Sequence, residues 1–84
     1  MTSPRILVAD DHPLFRAAVL HALRESLPGV QVVEAATASA LAPALAAHPE
    51  IELVLLDLTM PGARGLSSLV WLRGEWPQIP VVVI

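Results

Sequence analysis

Short apolar runs alternate along the chain with stretches whose apolar residues recur every three or four positions. Four runs read as strands: RILVAD over residues 5–10, VQVVE over 30–34, LVLLD over 53–57 and IPVVVI over 79–84. Three helical patterns lie between them. Pro13 suits a first helical turn, where its missing N–H costs nothing. Leu14, Phe15, Ala18, Val19, Ala22 and Leu23 then follow at helical spacing until Pro28-Gly29. Thr37 or Ser39 can cap a second helix, with Pro43 tolerated only near its start. Leu41, Ala44 and Leu45 form the inner stripe of that helix, and His48-Pro49 stops it. Met60-Pro61-Gly62 is a turn. The third helix is expected to turn Leu66, Leu69, Val70 and Leu72 inward, to end near Gly74, and to point Trp71 at solvent on the opposite side.

Strands alternating with helices are the signature of βαβ units. The third strand is apolar throughout, as expected when helices cover both faces of a parallel sheet. The order β-α-β-α-β-α-β therefore predicts a doubly wound α/β fold.

At 84 residues the chain is long enough for one small domain, residues 1–84. Its composition, 55% hydrophobic and 15% charged, excludes a disordered, solvating chain. A net charge of -3 with only five Lys plus Arg leaves no basic stripe for binding nucleic acid directly. The longest apolar stretches, residues 53–56 and 81–84, are too short to span a bilayer. MTSPR at the N-terminus lacks the apolar region of a signal peptide, and without cysteine there is no disulfide framework. A cytoplasmic protein fits these features.

Two of the strands end in acids: Asp10 and Asp11 close the first, Asp57 the third. Ligands of doubly wound sheets bind beyond the strands' carboxyl ends. Three carboxylates crowded there repel one another unless a cation joins them. Magnesium favours such a setting of few carboxylates, water and phosphate oxygens, and an aspartate can be the nucleophile that accepts a phosphoryl group. A single strand-end acid such as Asp11 is more simply a helix cap or a solvated loop residue. Two acids meeting a third just before a Met-Pro-Gly turn make a far more specific pattern. The three histidines are not expected to form a metal site: His12 reads as a loop or capping residue, His21 as a packing residue within a helix, and His48 as a helix end.

The strings ILVADDHPLFR (residues 6–16) and LVLLDLTMPGARGL (residues 53–66) resemble the receiver domains of two-component response regulators. His12-Pro13 after the acid pair looks most like the NarL/FixJ (LuxR-type) subfamily. The resemblance implies a flavodoxin-like sheet of strand order 2-1-3-4, with Asp57 as phosphoacceptor. Asp10, Asp11, Asp57 and the backbone carbonyl of Thr59 would hold Mg2+. Gly65 matches the glycine that follows the turn, and Arg64 replaces the Asp or Asn often found beside it. The partner would be a sensor histidine kinase, and a DNA-binding output domain would lie elsewhere in the protein. The resemblance also implies a Ser or Thr after the fourth strand, a lysine-tipped fifth strand and two further helices. None of these is among the 84 residues, which contain no lysine. These residues alone are therefore expected to accept phosphate poorly.

Right-handed crossovers with that strand order leave the first helix alone on one face and put the second and third on the other. The fourth strand, Val81, Val82, Val83 and Ile84, then becomes an uncovered apolar edge that pairs with another chain or with a missing C-terminal segment. A second reading follows, of a fragment that cannot switch and serves only as an interaction or dimerisation module. A third, a phosphohydrolase of the haloacid-dehalogenase type, is disfavoured because Thr59 stands where that family has a second aspartate.

Overall fold

A computed structural model describes residues 3–84. Its elements are β1 (Arg5–Ala9), α1 (Pro13–Ser26), β2 (Gln31–Ala35), a short 3-10 helix (Ala38–Ala40) running into α2 (Leu41–Ala47), β3 (Leu53–Leu56), α3 (Ser67–Glu75) and β4 (Val81–Val83). All strand pairs are parallel, and the order is β2-β1-β3-β4. This is the doubly wound, receiver-like sheet expected from the sequence.

The alternation of side chains along each strand divides the core in two. Leu7, Ala9, Val54 and Leu56 pack with Leu41, Leu45 and Leu72 of α2 and α3 in the larger cluster. Ile6 and Val8 point the other way and pack with Leu20 of α1. α1 thus stands alone on its face, as the crossover rule requires. Cover on that face is thin. Leu53 and Leu55 are only half-buried, and Val82 is exposed.

Several local expectations are corrected. β2 begins one residue later than expected and extends to Ala35, while β4 is confined to Val81–Val83. Thr37 does occupy the cap position before the 3-10 helix, but its side chain makes no capping hydrogen bond and lies 3.1 Å from the Ser39 hydroxyl. On α1 only Val19 and Leu23 of the expected stripe pack inward, around Leu20, whereas Leu14 is 88% exposed.

On α3, Leu66 and Val70 are 57% and 67% exposed, not inward. The inner face is centred on Leu72 and the buried Ser68 one turn earlier. At 100° per residue, Val70 lies about 160° from Leu72, while Trp71 lies only about 100° away. Trp71 is therefore half-buried, packs on the main core and meets Trp76 at a ring separation of 5.3 Å. Ser68 hid the true face by placing a polar residue on it.

This assignment predicts opposite costs for two neighbouring truncations. Leu72→Ala should lose about 2–5 kcal/mol, as buried leucines do, and Val70→Ala should stay within about 0.5 kcal/mol. Urea unfolding midpoints check this, and equal losses would contradict the facing described.

Candidate functional site

The register of β1 against β3 decides where the acids meet. Ala9 is the partner of Leu56, so Asp10 and Asp57 each stand one residue beyond their strands at the same level of the sheet. The Asp10 N–H donates to the Ala35 carbonyl and the Asp57 N–H to the Ala9 carbonyl, which carries the ladder up to both acids. Each chain then turns back on its own carboxylate. The His12 N–H donates to Asp10 Oδ1 at 3.1 Å, and the Thr59 N–H and hydroxyl donate to Asp57 Oδ1 at 2.9 and 2.7 Å. These are side-chain-closed turns of the kind Asp favours.

A second turn supports the far side. The Ala63 N–H donates to the Met60 carbonyl, with Pro61 second and Gly62 third at a φ of 85°. That is the residue pattern of a type II turn, whose third position needs positive φ. The Pro61 carbonyl accepts from the Ala38 N–H, tying this turn to the start of the 3-10 helix, and Met60 is buried beneath it.

The structure brings Asp10, Asp11 and Asp57 together, and His12 with them. One ligand atom from each of the four lies within 4.8 Å of all the others. Asp10 is fully buried and Asp57 nearly so. Asp10 Oδ2 and Asp11 Oδ1 are buried without a hydrogen-bond partner. Thr59 is in contact with Asp57 through its N–H and hydroxyl. Val81 is half-buried and packs on the main core, whereas Val82, Val83 and Ile84 are exposed at the sheet edge, with Val83 opposite Leu56 and the Ile84 N–H donating to the Leu56 carbonyl next to Asp57.

Residues 6–84 match the family model for the response regulator receiver domain. The chain belongs to that family. Among curated relatives, the receiver is similar to a glycerol metabolism activator of Pseudomonas putida, 45% identical over 80 residues, which cover 95% of this chain and 36% of that protein. It is also similar to the nitrate/nitrite response regulator protein NarP of Escherichia coli strain K12, 38% identical over 95% of this chain and 37% of that one. The latter agrees with the NarL/FixJ resemblance. The receiver thus spans little more than a third of these relatives' length. Among solved structures, the RcsB response regulator of Salmonella typhimurium superposes with a TM-score of 0.86 at 26% identity, over 99% of this chain and 42% of that one.

His12 is the site residue that reading the sequence missed. It is the residue before α1, but its side chain makes no capping hydrogen bond. Instead Nδ1 bonds Asp10 Oδ1 at 2.9 Å and lies 3.1 Å from Asp11 Oδ1 and 3.4 Å from Asp57 Oδ2. One N–H cannot serve three acceptors, so Asp11 Oδ1 is left without a donor despite its closeness. The available signal was position: a histidine two residues past a strand-end aspartate is carried back over it by the same turn that uses its N–H.

Charge follows this geometry. The hydrogen bond to Asp10, then the charge of Asp11, raises the His12 pKa above its ordinary value. Burial pushes Asp57 up, but the hydrogen bonds from Thr59 and the nearby imidazolium outweigh it and leave its carboxyl below the usual range. Away from the acids, a shallow cavity of about 440 Å³ between α2 and α3 is lined by Leu41, Trp71, Ser67 and Ser68 among others, with no charged side chain.

The raised His12 pKa has a stability consequence. Its contribution is complete below the unfolded value of about 6.5 and is lost as pH rises through the folded value. With divalent cations chelated, the melting temperature should therefore fall across that interval, and His12→Ala should flatten the fall. Thermal melts of both proteins from weakly acidic to weakly alkaline pH check this. Identical profiles would show that His12 does not hold the acids together.

Proposed function

We propose that this receiver, one unit over residues 1–84, accepts a phosphoryl group on Asp57 from a sensor histidine kinase. Asp10, Asp11, Asp57 and the backbone carbonyl of Thr59 hold Mg2+ in this reading. The observation that carries it is the pair of buried, unpartnered oxygens, Asp10 Oδ2 and Asp11 Oδ1, facing a third carboxylate across two adjacent strand ends. Buried charged oxygens without donors are costly. A small hard cation is the natural complement to such a donor set.

When bound, the ion supplies the positive charge that lets the acids and an incoming phosphoryl group share the pocket. The remaining work belongs to the chain. Thr59 holds Asp57 Oδ1 with two hydrogen bonds and so fixes the carboxylate plane, leaving Oδ2 the freer oxygen. The lowered pKa keeps Asp57 ionised near neutral pH, so the nucleophile needs no base. An Asp57 oxygen attacks phosphorus, the P–N bond of the donor phosphohistidine breaks, and its electron pair returns to the kinase imidazole. Each transfer loads one Asp57, which is stoichiometric acceptance and not turnover.

In this reading the signal passes to a DNA-binding output domain outside the 84 residues. Their net charge of -3 and five basic residues give no nucleic-acid surface of their own. No helix among the described residues is long and apolar enough to cross a membrane, which accords with a cytoplasmic role. The edge of β4 supports an interaction role as well. β2, at the other edge, exposes Gln31 and Glu34, while β4 exposes only Val82 and Val83, followed by Ile84. An apolar edge of this kind pairs with another strand. A second copy, or a further segment of the protein, is the cover proposed for it.

Two outcomes check these assignments. Incubated with acetyl phosphate and Mg2+, the 84-residue chain should gain a phosphoryl group only slowly, and peptide mass spectrometry should locate it on Asp57. The gain should vanish in Asp57→Asn and on chelation, and undiminished labelling of Asp57→Asn would place the acceptor elsewhere. In sedimentation over a range of concentrations, the 84-residue chain should associate, and Val82→Lys should weaken that association. A concentration-independent monomer would contradict the role given to the edge.

A further inference from the structure

The acid pocket contains a nitrogen donor as well as oxygens. His12 Nδ1 is 2.9, 3.1 and 3.4 Å from one oxygen each of Asp10, Asp11 and Asp57. Ligand atoms on opposite sides of a six-coordinate ion, about 2.1 Å from it, stand about 4.2 Å apart. The four candidate atoms, all within 4.8 Å of one another, need only small shifts to meet that size. Two observations set the cluster apart from a chance gathering of acids. Asp10 is 0% exposed and its Oδ2 is buried without a partner. The His12 ring, although it stands just before α1, caps nothing, and with 61% of its side chain exposed it is free to adjust.

Resting on the reading of the pocket as a dication site, we propose that His12 is an optional fourth ligand that sets which dication the pocket prefers. Mg2+ is hard, prefers oxygen and keeps its water, so it uses the carboxylates and leaves the ring aside. Co2+, Ni2+ and Zn2+ accept imidazole readily. For them Nδ1 becomes a ligand, with the ring's remaining hydrogen on Nε2. The same ring therefore acts in opposite directions. Its N–H stands among the acid oxygens that Mg2+ needs and competes with that ion, whereas its bare nitrogen adds a bond for a transition ion. A pocket of three carboxylates alone would lack this discrimination.

The test compares Mg2+ and Co2+ binding by calorimetry. All proteins carry His21→Gln and His48→Gln, so that other histidines bind no cobalt. In that background His12→Ala should weaken Co2+ binding about tenfold or more, the scale on which changes around a metal ligand act, while Mg2+ binding stays equal or tightens. His12→Gln, which keeps a hydrogen-bond donor but no imidazole, should behave like His12→Ala. The cobalt-loaded protein should show one exchangeable imidazole N–H proton shifted far outside the normal NMR range, absent from both variants. Equal changes for the two ions with no such proton, or a His12→Gln that binds Co2+ as the parent does, would overturn the role of His12 and leave the dication pocket standing. A parent that binds neither ion would overturn both.

Discussion

Repulsion among three carboxylates at the ends of two neighbouring parallel strands is the constraint on which the rest of the structure turns. Parallel pairing with Ala9 opposite Leu56 places Asp10 and Asp57 at one level, and burial of Asp10 removes the water that would screen them. Like charges so placed raise one another's pKa unless compensated. The chain compensates locally, with N–H groups two residues beyond Asp10 and Asp57 and the hydroxyl of Thr59. It also places an imidazole among them, at 2.9 Å from Asp10. What these donors leave unmet, the buried oxygens Asp10 Oδ2 and Asp11 Oδ1, is the feature on which the proposed cation site rests.

The hydrophobic cover of the sheet is uneven. α2 and α3 close one face with Leu41, Leu45 and Leu72, and that cluster holds the strands in register beneath the acids. The face of α1 contributes only Ile6, Val8 and Leu20 to its buried cluster. Stability therefore rests on one side of the sheet. On the α1 side Leu53 and Leu55 are half-buried and Val82, on the β4 edge, is exposed.

Much of this was legible in the sequence because it depends on short-range pattern and chirality. Apolar runs ending in acids placed β1 and β3, and the handedness of crossovers, applied to the strand order that the receiver resemblance implied, placed α1 opposite α2 and α3. What escaped had physical reasons. The α3 face was displaced because Ser68, a polar residue, is buried at its centre, so counting apolar residues pointed toward Val70. On α1, six apolar positions at helical spacing described a wide stripe, but of these only Val19 and Leu23 pack around Leu20, and Leu14 and Phe15 remain outside. Thr37 holds the cap position without the capping bond, since its hydroxyl is beside Ser39. His12 was missed because it was read as a loop or capping residue, whereas the turn closed by Asp10, two residues before it, carries its ring back over the acids.

The central claim is that the acids at the ends of β1 and β3 form one cation pocket. The most direct measurement is an Mg2+ titration followed by backbone amide chemical shifts. Saturable changes concentrated at residues 10–12 and 57–59, and abolished by Asp57→Asn together with Asp10→Asn, are the predicted result. Shifts scattered over the surface acids, or no saturable change at those residues, would contradict it.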